Sequence, residues 1–583
     1  MKKIFQTFTT KDWISWGITF VLVLFQVRFD LKVPEYMSEI TELVQTDGSA
    51  MKDILIAGAY MLGSSLGGLL VMIVIGYFSA QIATSVAMRL REQVYKKTLT
   101  FSMLDMNTFS TGSLITRTTN DITQVQSFIA MGYIVAIRAP FMAVVALSEI
   151  FDKNITFSMV VVVALICLIT AVSIVLKLTI PKSKKIQQMT DGLNTVVREH
   201  LIGLRVVRAY NAEKYHEDKF EIENAEVSNA NIFVNRTTAF AGPFMTCLMS
   251  VLTLAIYFIG VSLINEASLP MDKLTVFSDM IVFSMYAMLI IMAFMMLTMN
   301  ILMMPRFVVA LNRISEVIDY ENTVPDNSTS ENTQKSDIAI EFKNVTFAYP
   351  KSEEAVVQDI SFAVKKGETI AIIGSTGSGK STIINLILRF FDCTKGEILV
   401  DGKNIKEYSQ NNLRDKLGLV SQKAQLFNAK IWENIAYGEE TYDEKQLERA
   451  IKIAQAKDFV DKVGVDSEVS QGGLNLSGGQ KQRLSIARAI YKNPEIYLFD
   501  DCFSALDYKT DRVLRKTLEE ETKDATKIMV AQRISTVKDA DQIIVLDHGK
   551  ISAIGKHKDL LENSSVYKEI AESQLSKEEL ENE

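Results

Sequence analysis

The chain has 583 residues, 48% of them apolar and 22% charged, with a formal net charge of −7 at pH 7. It is too long for one domain and too apolar for an ordinary soluble protein, so a membrane part is expected. The modest negative charge, with no block of basic residues, argues against nucleic acid as a partner. Cys167, Cys247, Cys393 and Cys502 show no paired metal-ligand spacing and are expected to remain free thiols, without disulfide or zinc.

Crossing a bilayer takes about 20 apolar residues. Stretches of that kind lie near 13–29, 54–80, 128–150, 156–181, 238–264 and 274–303. The first is not a cleaved signal peptide, because no small-residue cleavage site follows it and further spans do. Residues 84–127 carry Arg89, Arg91, Lys96, Lys97 and Arg117, and residues 182–237 carry Lys182, Lys184, Lys185, Arg198, Arg205 and Arg208. This bias makes both loops cytoplasmic. The stretch between the first two spans holds Asp30, Glu35, Glu39, Glu42 and Asp47. It is expected to form an outward loop, with short outer turns near 151–155 and 265–273. The N-terminus and everything beyond the sixth span then lie in the cytoplasm of a cell bounded by this membrane.

Arg138 lies at membrane depth in the third span, where a charge is expensive and faces a cavity or a counter-ion. Glu149 and Asp279 sit nearer the outer ends of their spans, as interfacial anchors or as groups that handle cations. Met285, Met288, Met292, Met295, Met299 and Met303 recur at three- and four-residue steps on one face of the sixth span. Methionine is flexible and suits a surface that must accept many shapes. Helix packing or lipid contact would explain the same stripe.

The apolar pattern stops near Ile318, closing a transmembrane domain over 1–318. Residues 319–337 are polar and read as a linker. From 338 to 565 short strand-like runs alternate with helical ones, the pattern of an α/β nucleotide-binding domain. Residues 566–583 are acidic and read as a partly helical, solvated tail. The predicted fold is therefore a six-span α-helical membrane domain fused to an α/β domain with a phosphate loop.

Gly374-Ser375-Thr376-Gly377-Ser378-Gly379-Lys380-Ser381-Thr382 fills the pattern of that loop, between the strand-like run 368–373 and the helical run 382–391. Its glycines let backbone N–H groups close on phosphate oxygens, Lys380 can reach the β- and γ-phosphates, and the Ser381 hydroxyl can ligate Mg²⁺. Downstream, Ile496-Tyr497-Leu498-Phe499-Asp500 reads as a buried strand ending in the carboxylate that holds Mg²⁺ through water.

With Gln422 in Val-Ser-Gln, Leu476-Ser477-Gly478-Gly479-Gln480 and Ser504-Ala505-Leu506-Asp507 in this order, the chain resembles the ATP-binding cassette family over essentially its whole length. Within that family it resembles half-transporters in exporter order. The resemblance implies ATP and Mg²⁺ as cofactors, and two nucleotide domains meeting head to tail. Each ATP then lies between one subunit's phosphate loop and the other's signature, Ser477 to Gln480 here, with Asp507 beside it. It implies Tyr349 as the aromatic stacked on adenine and Gln422 as a further Mg²⁺ contact. It also implies short helices at Gly112–Arg117 and His200–Tyr210 that rest on the nucleotide domains.

Two positions depart from the family pattern. Asp501 stands where a glutamate polarises the attacking water, and Gln532 where a switch histidine contacts the γ-phosphate. A carboxylate one methylene shorter is displaced by about 1.5 Å, and an amide carries no titratable proton near neutral pH. The pair resembles the degenerate-site subunit of heterodimeric bacterial multidrug exporters. The implied partner is a different chain carrying Glu and His, and the implied cargo is hydrophobic small molecules. A homodimeric lipid or peptide exporter, and a regulatory subunit that binds ATP without transporting, are the alternatives.

Overall fold

The computed structural model describes residues 6–46, 48–153, 155–266, 269–326, 336–350, 352 and 354–575. It separates into two compact units, Met1–Thr100 with Phe109–Glu321, and Phe101–Thr108 with Asn322–Glu583.

Six helices long and apolar enough to cross a membrane make up the first unit: Thr10–Gln45, Met51–Leu99, Thr111–Phe151, Ile155–Ile202, Glu213–Glu266 and Asp272–Ile318. At 1.5 Å per residue, a 48-residue helix such as Ile155–Ile202 measures about 70 Å, more than twice an apolar bilayer core. The apolar windows thus mark only one end of much longer rods. The first rod starts at a capping box, in which Thr9 and Asp12 exchange hydrogen bonds. The third contains π turns at Arg117–Asp121 and Phe128–Gly132, and Asn300 Nδ2 donates to the Gly132 carbonyl at 2.9 Å. Val27, Leu31, Met142, Ile150, Phe157, Ile256, Phe283 and Tyr286 form the apolar core.

The expected outward loop is different. Asp30, Glu35, Glu39 and Glu42 continue the first helix to Gln45, and Asp47 lies outside the described residues. Ion pairs hold two of these charges, Asp30 and Glu35, on the helix. Arg138 Nη2 meets Asp30 Oδ2 at 2.8 Å, Arg28 pairs with Glu149, and Lys32 pairs with Glu35. Arg138 thus has its counter-ion on the first helix, and Glu149 is a partner of that helix. Asp279 lies on the sixth helix.

The sixth helix buries Met280, Val282, Phe283, Tyr286 and Ile290 and turns its later methionines the other way. Met288, Met292, Met295, Met299 and Met303 are 43–55% exposed, whereas Met285 is half-buried, so the stripe from Met288 onward does not serve packing within the chain.

In the second unit, a six-stranded sheet runs in the order Lys550–Gly555, Gln542–Asp547, Thr369–Gly374, Thr526–Val530, Ile496–Asp500, Leu417–Val420. All neighbours are parallel except the first two. Its inner strands are almost continuously apolar and buried, as both-faced burial requires, while the antiparallel edge strand Lys550–Gly555 is largely exposed. Parallel strands bring their C-terminal ends to one edge. The chain therefore delivers residues 374–382, 422, 500–501 and 532 to the same place from four distant segments. A four-stranded antiparallel sheet built on Ile338–Phe347 and Val357–Lys365 shares a core with this layer.

The connection between the second and third spans differs from expectation. The segment belonging to the second unit is 101–108, within which helix Met103–Phe109 begins, and Gly112–Arg117 belongs to the first. Leu104 packs against the nucleotide-domain core, and fully buried Asp105 accepts from Thr323 Oγ1 at 2.9 Å and from the Ser102 N–H at 2.8 Å. The sequence concealed this, because Asp105 is buried by virtue of hydrogen bonds to a distant residue. The linker also begins docked: Val324 is buried, and Arg389 Nη2 donates to the Pro325 carbonyl at 3.0 Å. Residues 327–335 of the linker lie outside the described residues.

The boundary expected at 565 gives way to a helix over Ser565–Glu572 whose Tyr567 and Ala571 are fully buried against Ala531, Ile534 and Val545. Val566, Tyr567, Ile570 and Ala571 carry this contact within a single short helix, too brief a run to stand out in the sequence. The tail from 576 lies outside the described residues.

Candidate functional site

The phosphate loop leaves strand Thr369–Gly374 and enters helix Lys380–Ile387. A side chain at Gly374 would place its Cβ 2.3 Å from the Leu546 carbonyl oxygen, so the loop starts where only glycine fits. Gly377 and Gly379 have φ of +86° and +96°, the left-handed region that glycine adopts without strain. Lys380 Nζ donates to the Gly374 and Ser375 carbonyls at 2.8 and 2.7 Å, closing the loop into a ring. Burial pulls the Lys380 ammonium below its ordinary value, and Asp501 and Asp500 oppose that pull. The buried Ser378 Oγ has no hydrogen-bond partner, and nothing lies within 4 Å of where a Gly377 Cβ would project. A concave loop of N–H groups with an orphan hydroxyl and a lysine fits a phosphate chain.

Ser381 Oγ donates to Asp500 Oδ1 at 2.8 Å, so the two residues expected to hold Mg²⁺ already touch. Burial pushes the Asp500 carboxyl above its ordinary range, the Ser381 bond opposes this, and the charge of Asp501 adds to it. Such a site gains from a divalent cation, which would supply neutralisation of phosphate charge there. The donor set of one hydroxyl, one carboxylate and the Gln422 amide oxygen suits a hard cation.

The two out-of-pattern residues meet directly. Asp501 Oδ2 accepts from Gln532 Nε2 at 3.0 Å and from Gln422 Nε2 at 3.0 Å. The carboxylate is thereby tethered to both flanking loops. Asp501 also has φ of 45°, unusual for a residue with a side chain, and its N–H donates to the Val530 carbonyl at 2.9 Å. Ser504 Oγ donates to the Asp501 carbonyl at 2.9 Å, closing the turn beyond it.

Ser477 caps helix Gly478–Lys492. Its hydroxyl accepts from the Gln480 N–H and its own N–H donates to Gln480 Oε1 at 2.9 Å, a capping box. Ser477 and Gly478 are exposed, and no atom lies within 4 Å of a Cβ built on Gly478, while Gly479 backs onto Ala505 and Leu506. The signature thus presents a helix N-terminus to whatever lies outside this chain. Asp507 caps the next helix by accepting from the Thr510 N–H at 3.0 Å, a bond that holds its carboxyl below the ordinary range. Tyr349 is half-buried, edge-on to Phe347 and Phe391, with its hydroxyl 3.4 Å from Thr382 Oγ1, so it sits at the rim of the loop.

The ABC transporter family profile matches residues 357–504, and that of the ABC transporter transmembrane region matches 16–294. An uncharacterized ABC transporter ATP-binding protein of Mycobacterium tuberculosis is 36% identical over 92% of this chain and 93% of its own length. The uncharacterized ABC transporter ATP-binding protein YfiB of Bacillus subtilis is 32% identical over 96% of each. An ATP-dependent lipid A-core flippase of Haemophilus influenzae is 33% identical over 86% of this chain and 84% of its own. Among solved structures, a bacterial Atm1-family ABC exporter with ATP bound superposes with a TM-score of 0.83 over 97% of this chain and 99% of that one, at 24% identity. That likeness speaks for the fold.

Proposed function

The chain belongs to the ABC transporter family, a multi-pass membrane half joined to one nucleotide domain with the fold of an ABC exporter, and on that premise we propose that it is the weakly hydrolytic subunit of a heterodimeric exporter. The observation that carries this reading is the contact of Asp501 with Gln532. The position that polarises water holds a short carboxylate tied to an amide, beside an intact and exposed signature. Phosphate loop, Asp501 and Gln532 all serve one composite site, which binds ATP and turns it over slowly. Ser477 and Gly478 serve the other, whose Glu and His come from the partner chain.

In this mechanism ATP draws the two nucleotide domains together. Lys380 and the N–H groups of 375–382 grip the phosphates, and Tyr349 flanks the adenine. Ser381, Asp500 and Gln422 would hold Mg²⁺. Closure turns an inward-open cavity outward, and hydrolysis at the partner's site resets it. The N-terminus and nucleotide domain lie in the cytoplasm of a bacterial cell, with the spans in the plasma membrane. The exposed methionine face of the sixth helix supports apolar or amphipathic cargo. Similarity to lipid A-core flippases favours a second reading, a lipid-moving homodimer.

ATPase activity of the full-length chain alone in lipid, beside the chain co-purified with a partner carrying Glu and His, tests the proposal. Near-silence alone and brisk turnover in the pair support it. Equal turnover would make the protein a homodimer that uses Asp501 itself.

A further inference from the structure

Gln574 lies just past the C-terminal helix, far in sequence from every motif. Its side-chain amide spans the switch loop: Nε2 donates to the Gln532 carbonyl at 2.7 Å, and Oε1 accepts from the Ile534 N–H at 2.9 Å. The two partners fix the amide's orientation, since one offers only an acceptor and the other only a donor. Helix Ile534–Val537 has no side-chain cap from Arg533 at its start, and the Gln574 oxygen supplies one.

The clamp itself is anchored. Tyr567 and Ala571 are fully buried, the Tyr567 hydroxyl lies 2.6 Å from His557 Nδ1, and the Gln574 N–H donates to the Ala571 carbonyl at 3.0 Å. A rigid helix end therefore holds the backbone on both sides of Arg533. From that same backbone the Gln532 side chain reaches Asp501 Oδ2.

We infer that Gln574 is a positioning residue for the switch loop, setting where Gln532 meets the terminal phosphate and so how well this site tells ATP from ADP. The inference rests on the reading of Gln532 as the γ-phosphate contact. Without the clamp, the loop keeps its sequence and loses its register. Phosphates already gripped by Lys380 are unaffected, and the distinction between nucleotides with and without a γ-phosphate weakens.

Equilibrium binding of a non-hydrolysable ATP analogue, adenylyl imidodiphosphate, and of ADP, each with Mg²⁺, to the full-length chain in lipid nanodiscs tests this. Gln574→Ala should lower the preference for the ATP analogue about fivefold, the effect of roughly one lost net hydrogen bond, with ADP affinity unchanged. Gln574→Glu has nearly the same shape and keeps an acceptor for Ile534, but it sets a carboxylate oxygen against the Gln532 carbonyl, two acceptors that repel, so it should lower the preference at least as much as Gln574→Ala. Ser573→Ala, on the same helix end but without contact to the loop, should match the wild type. Gln532→Ala separates the two claims. If it lowers the preference and neither Gln574 variant does, the clamp is wrong. If neither position matters, the reading of Gln532 falls and takes the clamp with it. Equal losses for both nucleotides in the Gln574 variants would also overturn the inference.

Discussion

Replacing Asp501 with glutamate tests the chemical deficit directly. The change extends the carboxylate by about 1.5 Å, and a misplacement near that size costs about a hundredfold, or roughly 2.7 kcal/mol. Part of the gain is forfeited, because Asp501 Oδ2 now accepts from Gln422 and Gln532 at 3.0 Å each. Pushing the carboxylate forward breaks at least one of these charged hydrogen bonds, at about 1.5 kcal/mol. Gln422 and Gln532 are both exposed and free to swing aside, so the backbone need not move. The expected net is about a tenfold rise in turnover at this site. Steady-state ATPase in lipid is the assay, using a partner chain whose own phosphate-loop lysine is replaced so that only this site reports. A rate at or below wild type, with ATP binding intact, would mean that carriage of the carboxylate is not what limits the site, and would refute the argument.

Gly478→Ala adds a methyl group that meets nothing within the chain. Its thermal midpoint should match the wild type while turnover of the assembled complex nearly vanishes, whereas Asp501→Ala should hardly alter that turnover; equal losses would contradict the division of labour between the sites. Asp500 carries the pH dependence. Burial raises its folded pKa, so its contribution to stability is full below the ordinary aspartate range and is lost as pH rises through the raised value. Asp500→Asn should therefore raise the unfolding midpoint of the nucleotide-free full-length chain at pH 7. The gap should close below about pH 4, and Mg²⁺ with ATP should no longer stabilise the variant; a midpoint lowered at pH 7 would show the sign to be wrong. In the membrane unit, Arg138→Leu leaves the half-buried Asp30 without its cation at about 2 kcal/mol, and Arg138→Leu with Asp30→Leu should recover most of that loss. A double-mutant cycle in detergent unfolding reads the coupling.

Much of the site was legible because its parts are local. A phosphate loop is a run of neighbouring residues whose backbone does the work, and Ser477 with Gln480 cap their own helix three residues apart. Asp501 and Gln532 were visible as departures for the same reason, each standing next to a recognisable neighbour. Their mutual contact was not legible, since it depends on two parallel strands ending side by side. Asp105 and Gln574 carried no local signal. Each is a polar residue whose importance comes from a partner more than 40 residues away, the Thr323 hydroxyl for Asp105 and the Gln532 carbonyl for Gln574.

By itself the sequence determined the number of membrane helices, the α/β character of the nucleotide domain and the place of the phosphate-loop pattern between a strand and a helix. Apolar length, strand and helix alternation and glycine placement are all properties of contiguous segments. Only the tertiary structure decided that the acidic residues after the first span remain helical, with Asp30 paired to Arg138. It alone docked segment 101–108 through Asp105, turned the methionine face outward and put Gln574 on the switch loop. The physical reason is common to all four. A charge, an amide or a thioether is compatible with either side of a surface, and the partner that settles the matter is supplied by a distant part of the chain.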